Sequence, residues 1–154
     1  MKERYFKAAR WDYLLSLITV GITLFAVVFI FFNPNPWVVR VFGAILVGSY
    51  FFMVRGYRVE EGRLVIIRPG WEKSFDLCGL KNVRFDPEAM KWSWRIWGNG
   101  GLFGWIGLFR NRRLGRYKAY VSNRYRCVVL ETTDRTLVVS PADAESFIQV
   151  LKKK

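Results

Sequence analysis

Two apolar stretches near the start of the chain decide its fold: LLSLITVGITLFAVVFIFF at 14–32 and WVVRVFGAILVGSYFFMV at 37–54. The first holds 19 residues without a charge, and as an α-helix it is long enough to cross a hydrocarbon core of about 30 Å. The second contains one charge, Arg40, close enough to its start for the side chain to reach the headgroups. Only Asn-Pro-Asn-Pro at 33–36 separates the two. We therefore predict a transmembrane helical hairpin.

Two other interpretations of these stretches have to be weighed. A soluble protein can bury an apolar helical hairpin, but only about a hundred residues follow position 54, too few to enclose two such helices. A cleaved signal peptide has a shorter apolar region and a small-residue cleavage site, and neither is found before Asn33. An uncleaved anchor over residues 1–56 is the prediction.

Basic residues flank the hairpin on both sides, whereas the loop at 33–36 contains none. Because Lys and Arg remain on the cytoplasmic side of a membrane protein, both termini are predicted to be cytoplasmic. The chain is thus predicted to be a multi-pass protein of the cell (inner) membrane. The flanking residues are Lys2, Arg4, Lys7 and Arg10 before the hairpin, and Arg55, Arg58, Arg63 and Arg68 after it.

Beyond position 54 the hydrophobic period changes from helical to strand-like, which predicts a soluble domain over 57–154. Turn sequences such as Glu60-Glu61-Gly62 separate short alternating or apolar runs. The predicted fold class is α+β, with an antiparallel β-barrel or sandwich of about seven strands following the hairpin. The strand candidates are 57–60, 63–68, 71–77, 81–85, 92–96, 116–121, 126–131 and 135–140.

The C-terminus is predicted to form a capping α-helix over about 141–152. Ser140 is a good N-cap and Pro141 suits the first helical position. Phe147, Ile148 and Leu151 then fall on one apolar face.

The segment 97–109 combines five glycines with large apolar residues and is followed by a dense basic cluster. It has three interpretations: part of the core, an aromatic loop that enters the headgroup region while the cations hold lipid phosphates, or a docking surface for another protein. Residues 89–130 hold nine basic residues and no acidic one. The candidate lipid- or partner-binding residues are Arg110, Arg112, Arg113, Arg116 and Lys118, with Trp105 as an interfacial anchor.

Three sequence stretches resemble the bacterial pleckstrin-homology-like (PH-like) domains that are fused to short membrane hairpins. They are Gly-Gly-Leu-Phe-Gly-Trp-Ile-Gly-Leu-Phe at 100–109, Leu-Gly-Arg-Tyr-Lys-Ala-Tyr at 114–120 and Val-Val-Ser-Pro-Ala-Asp at 138–143. The resemblance covers 57–154. It implies a seven-strand barrel capped by a C-terminal helix and no enzyme activity, so it carries over no catalytic residue. A lipid role does not follow from the fold alone.

Composition narrows the function classes. The chain has no histidine, which removes the commonest acid–base residue and metal ligand. Cys78 and Cys127 are expected to be reduced and buried, and the carboxylates form no motif. We therefore expect no enzyme, no cofactor and no metal. The net charge of +13 would also suit a protein that binds nucleic acid, but the sequence has no recognisable nucleic-acid-binding motif.

The predicted function is a non-enzymatic membrane module that binds anionic lipid headgroups of the cytoplasmic leaflet or a membrane-protein partner. The alternative is a scaffold or assembly subunit of a membrane complex, or a homo-oligomer, that docks through the glycine–aromatic segment.

Overall fold

The computed structural model describes residues 4–33 and 35–153. Along these residues the chain forms ten strands and three helices. They are β1 (Arg4–Lys7), α1 (Tyr13–Phe32), α2 (Pro36–Phe51), β2 (Gly56–Glu60), β3 (Arg63–Ile67), β4 (Glu72–Asp76), β5 (Leu80–Phe85), β6 (Trp94–Gly100), β7 (Trp105–Asn111), β8 (Gly115–Val121), β9 (Val128–Thr132), β10 (Thr136–Val139) and α3 (Ala144–Lys152). Lys2, one of the flanking cations, lies outside the described residues.

Both helices of the hairpin begin at side-chain caps. The Asp12 carboxylate accepts a hydrogen bond from the backbone N–H of Leu15 at 2.7 Å, and the Asn35 side chain accepts one from Trp37 at 2.9 Å. Within the described residues, α1 alone is long and apolar enough to cross a membrane, and α2 has 16 residues. Only 17% of the apolar window in α1 is buried inside the protein. Its surface is therefore mostly apolar and uncovered.

The strands form two sheets that pack as a sandwich. One has the order β1-β2-β3-β4 and the other β5-β9-β10-β8-β7-β6. Neither closes into a barrel, so of the two predicted arrangements the sandwich is the one observed. Between the sheets lies a core of side chains from both, among them Tyr57, Leu64, Tyr120 and Leu130.

The expectation of a purely antiparallel fold is wrong at one strand pair. Strand β10 runs antiparallel to β9 but parallel to β8. The chain leaves β8 and forms β9 two places away in the sheet, and β10 then fills the gap between them. Because β9 runs opposite to β8, a strand that turns back from β9 runs in the same direction as β8.

The strand before the hairpin was not predicted. Strand β1 pairs with β2, with Phe6 opposite Tyr57, and the Phe6 ring packs edge-on against Phe147 of α3 with centroids 5.1 Å apart. Both ends of the hairpin therefore return to the same β-sheet.

Helix α3 begins later than predicted. Its N-cap is Asp143, whose carboxylate accepts from the N–H of Ser146 at 3.0 Å. Ser140 is instead fully buried, and its hydroxyl accepts from the N–H of Ser122 at 2.8 Å. The predicted apolar face is confirmed, since Phe147 is 0% and Leu151 is 2% exposed. Cys127 is buried as expected, but Cys78 is exposed.

Candidate functional site

The hairpin of β6 and β7 depends on two glycines that face each other. Gly98 pairs with Gly107, and both have positive φ, 113° and 141°. A Cβ on Gly98 would overlap the carbonyl oxygen of Ile106, and one on Gly107 would overlap that of Trp97. The two strands can approach this closely only because neither residue has a side chain.

A bulge in β6 places two tryptophans on the same side of the sheet. Trp94 pairs with Arg110 and Trp97 pairs with Leu108, with a register shift between Arg95 and Trp97. Directly paired residues project to the same side of a sheet. The extra residue, Ile96, therefore turns Trp97 to the side that Trp94 already occupies.

Strand β8 adds two cations to this side. Arg110 pairs with Arg116, and Leu108 pairs with Lys118. We name the set formed by Trp94, Trp97, Arg110, Arg116 and Lys118 the basic–aromatic face. Trp94 is 81% and Trp97 is 80% exposed, so two indole rings and three cations share one open surface.

The turn between β7 and β8 is held by a buried asparagine. The Asn111 side chain donates to the carbonyl of Ala89 at 2.7 Å and accepts from the N–H groups of Arg113 and Leu114 at 3.1 and 2.7 Å. Arg112 is exposed at the tip of this turn. The turn thus fixes where the exposed arginines lie.

Arg113 has a structural partner. Its guanidinium donates to the buried carboxylate of Asp86 at 3.0 Å and lies 3.6 Å from the carboxylate of Glu88. Glu88 also accepts from Lys91 at 2.7 Å, which lowers the pKa of Glu88. Much of the charge of Arg113 is therefore already compensated within the protein.

An open groove of about 930 Å³ adjoins the basic–aromatic face at this end. Trp92 and Ile96 line it with Trp94, Arg110 and Arg112. Trp92 is 86% exposed and has a left-handed φ of 52°. The groove thus continues the combination of exposed indole and guanidinium groups.

Trp105 lies away from this surface. It pairs with Val121 at the far end of β7, is half-buried and packs against the second core cluster with Phe109 and Tyr117. The guanidinium of Arg124 covers its ring at 4.6 Å. Near this surface the exposed tryptophans are instead Trp92, Trp94 and Trp97, which the sequence pattern did not single out as site residues. Their signal was the density of tryptophan just before the glycine-rich run.

Residues 55–154 match the family described as the bacterial PH domain. The chain belongs to this family. The match confirms the resemblance noted above, and such domains are generally non-catalytic modules that bind lipids or proteins. No curated protein and no solved structure gave a significant match to the chain.

The loop between β6 and β7 attaches the PH domain to helix α1. The Thr19 hydroxyl donates to the carbonyl of Gly101 at 3.1 Å and accepts from the N–H of Phe103 at 3.2 Å. The Phe103 ring also contacts Trp11 and Tyr50, with centroids 5.9 and 6.1 Å apart. Part of the glycine–aromatic segment is therefore a contact surface within the chain itself.

Hydrogen bonds also attach the ends of the hairpin to the domain. The Asp12 carboxylate, 3% exposed, accepts from the backbone N–H of Arg124 at 2.9 Å. At the end of α2, the indole N–H of Trp71 donates to the carbonyl of Phe51 at 3.1 Å. The domain is thus held directly beside the helices.

Proposed function

We propose that this protein is a non-enzymatic, membrane-anchored PH module that binds anionic lipid headgroups at the cytoplasmic face of the cell membrane. The observation that carries the proposal is the basic–aromatic face. Three cations and two exposed indole rings share one side of a sheet that is attached to an apolar helical hairpin.

The membrane anchor in this proposal consists of residues 1–56, with the PH module over 57–154. Large apolar side chains of both helices are exposed, among them Phe25 at 62%, Phe31 at 79% and Trp37 at 70%. A water-soluble protein rarely leaves apolar area of this extent uncovered. The guanidinium of Arg40 lies 5.3 Å from the Trp37 ring, as expected for a pair at a lipid interface. With the flanking cations, this supports two spans and cytoplasmic termini.

Electrostatics and aromatic chemistry act together in this arrangement. Each Lys or Arg near an anionic leaflet contributes about 1 kcal/mol, so Arg110, Arg116 and Lys118 contribute about 3 kcal/mol in total. Indole rings favour the headgroup region because they combine an apolar body with one N–H donor. Arg112 adds a fourth cation at the turn. Arg113 contributes less because Asp86 already neutralises much of its charge.

The test uses the full chain in neutral detergent micelles, titrated with short-chain phosphatidylglycerol or phosphatidylcholine in a calorimeter. We expect phosphatidylglycerol to bind more tightly, with the preference reduced at high salt because ions screen exposed charges. Changing Arg110, Arg116 and Lys118 together to Gln should weaken phosphatidylglycerol binding by about 100-fold. The matched control changes Lys81, Lys152 and Lys153 to Gln, which removes the same charge from another exposed surface. Equal loss in both triple variants would mean that net charge, not this face, holds the lipid.

Tryptophan substitutions separate an interfacial anchor from a packing residue. The double change of Trp94 and Trp97 to Ala should weaken lipid binding and leave the melting temperature within a few degrees, because both rings are exposed. Trp105→Ala should lower the melting temperature, because the ring lies between Arg124 and the second core cluster. The opposite pattern would return the anchor role to Trp105.

A second candidate function is protein docking by a scaffold or assembly subunit of a membrane complex. In the described part of the chain, β6 is the last strand of the six-stranded sheet, so one of its edges can pair with a strand of a membrane-protein partner or of a second copy. Ile96→Pro would block strand pairing at this edge. Docking would be favoured if partner binding persists in the triple Gln variant but is lost in Ile96→Pro.

A further inference from the structure

A second cavity lies where helix α2 meets the PH domain. This crevice has a volume of about 650 Å³, within the range of about 300–1,000 Å³ that is usual for ligand sites. Its helical wall consists of small and apolar residues, and its domain wall comes from β6, β7, β8 and Arg68, which follows β3. The lining includes Ala44, Ile45, Gly48, Arg68, Trp97 and Tyr120.

Among the described residues that line the crevice, Arg68 is the only charged one. Arg68 is only 5% exposed, and its guanidinium stacks on Trp71 at 4.1 Å and on Tyr120 at 5.1 Å. The Nε of Arg68 has no hydrogen-bond partner in the described part of the chain. No carboxylate of residues 4–33 or 35–153 forms an ion pair with the Arg68 guanidinium. A guanidinium remains protonated at neutral pH. A buried positive charge without a counter-ion is costly, so the site is suited to an anionic group.

The depth of the crevice along α2 matches the upper part of a lipid. Arg68 lies against Phe52, with its guanidinium 5.5 Å from that ring, at the end of the helix. Ala44 precedes Phe52 by about two turns, or about 12 Å along the helix. An anionic head beside Arg68 can therefore continue as an apolar chain along Ala44, Ile45 and Gly48 without leaving the crevice.

We propose that this crevice binds one membrane phospholipid, with the phosphate on Arg68 and an acyl chain against the small-residue face of α2. The site rests on the membrane placement of the helices; it shares Trp97 with the basic–aromatic face but includes none of the three cations of that face. It recognises the phosphate that all phospholipids share, whereas the basic–aromatic face recognises net negative charge. A zwitterionic lipid therefore distinguishes the two sites.

The experiment is native mass spectrometry of the full chain released from neutral detergent micelles after addition of long-chain phosphatidylcholine. We expect one phosphatidylcholine adduct, and none with diacylglycerol of the same chains, which lacks the phosphate. Equal retention of diacylglycerol would overturn the role of Arg68, and the absence of any phospholipid adduct would overturn the site.

Glycine substitutions on α2 provide a matched pair of variants. A Cβ on Gly48 or on Gly43 meets no atom within 4 Å, so both positions have open space where a side chain would begin, but of the two only Gly48 lines the crevice. Gly48→Leu should reduce phosphatidylcholine retention by about tenfold or more. The leucine side chain would occupy the space of the acyl chain, and a lipid that is excluded also loses its charge-assisted contact with Arg68. Gly43→Leu should leave retention unchanged, and equal retention in both variants would overturn the proposal.

Two further variants test whether the lipid phosphate binds Arg68 or the basic–aromatic face. Arg68→Gln should reduce retention at least as much as Gly48→Leu does, and if Arg68→Gln does not fold, the glycine pair decides. The triple change of Arg110, Arg116 and Lys118 to Gln should keep the adduct. Loss of the adduct in the triple variant alone would assign this lipid to the basic–aromatic face and overturn the crevice. Retention of phosphatidylcholine without any preference for phosphatidylglycerol would support the crevice while refuting the proposed function.

Discussion

Replacement of Phe147 by alanine tests how the C-terminal helix holds the sandwich together. The side chain is completely buried, and its ring packs edge-to-face against Phe6 at 5.1 Å and Tyr57 at 6.2 Å. It thus joins α3 to β1 and β2. Removing a buried phenyl ring costs about 3–5 kcal/mol through lost burial and the cavity that remains. Because the ring also makes two aromatic contacts, we expect the loss of stability in Phe147→Ala to fall within that range rather than below it.

Thermal unfolding of the full chain in neutral detergent, followed by circular dichroism, measures this cost. In a domain of about a hundred residues, 1 kcal/mol lowers the melting temperature by about 4–8 °C, so Phe147→Ala should lower it by about 12 °C or more. Gln149→Ala, an exposed change on the same helix, should shift it by only a few degrees. If the two variants melt together, α3 does not pack on the sheet as described.

Three further predictions concern two glycines with positive φ, the buried hydroxyl of Tyr57 and the membrane topology. Gly107→Ala should prevent folding or destabilise by about 3 kcal/mol, because the new Cβ would overlap the opposite strand. Gly115 also has positive φ but open space around it, so Gly115→Ala should cost only about 1 kcal/mol. Equal urea midpoints for Gly107→Ala and Gly115→Ala would contradict this reasoning. Tyr57→Phe should cost about 1–3 kcal/mol in urea unfolding because a buried N–H and a buried carbonyl lose their partner, and an unchanged midpoint would show that water replaces the hydroxyl. In a cysteine-free background, an impermeant thiol reagent should label Asn35→Cys in intact cells and not Lys153→Cys, whereas the reverse would place the PH domain outside.

Local chemistry accounts for the parts of the fold that the sequence predicted well. The strand candidates 57–60 and 63–68 on either side of the predicted turn at 60–62 are confirmed, and they pair as the hairpin of β2 and β3. The apolar face of α3 was predicted from its helical spacing and is confirmed as well. In both cases the residues that determine the structure lie within a few positions of one another, so the pattern is readable without knowledge of the fold.

The candidate site shows where such patterns fail. Regular alternation along a strand would put Trp94 and Trp97 on opposite sides, but the bulge after Arg95 brings Trp97 to the side of Trp94. Arg113 was indistinguishable from its basic neighbours until the fold brought Asp86, 27 positions away, within 3.0 Å. The function of each cation depends on such distant partners.

Three properties could be predicted from the sequence: the apolar hairpin, the basic character of the segment that follows the glycine-rich run, and the family to which the domain belongs. These properties are carried by composition and by short-range spacing. Only the packed structure shows which tryptophans are exposed and which arginines are already paired, and that no carboxylate of residues 4–33 or 35–153 pairs with Arg68 beside α2. Those properties depend on the register of paired strands and on the distance between residues far apart in the chain, which exist only once the sheets have formed and packed against the helices.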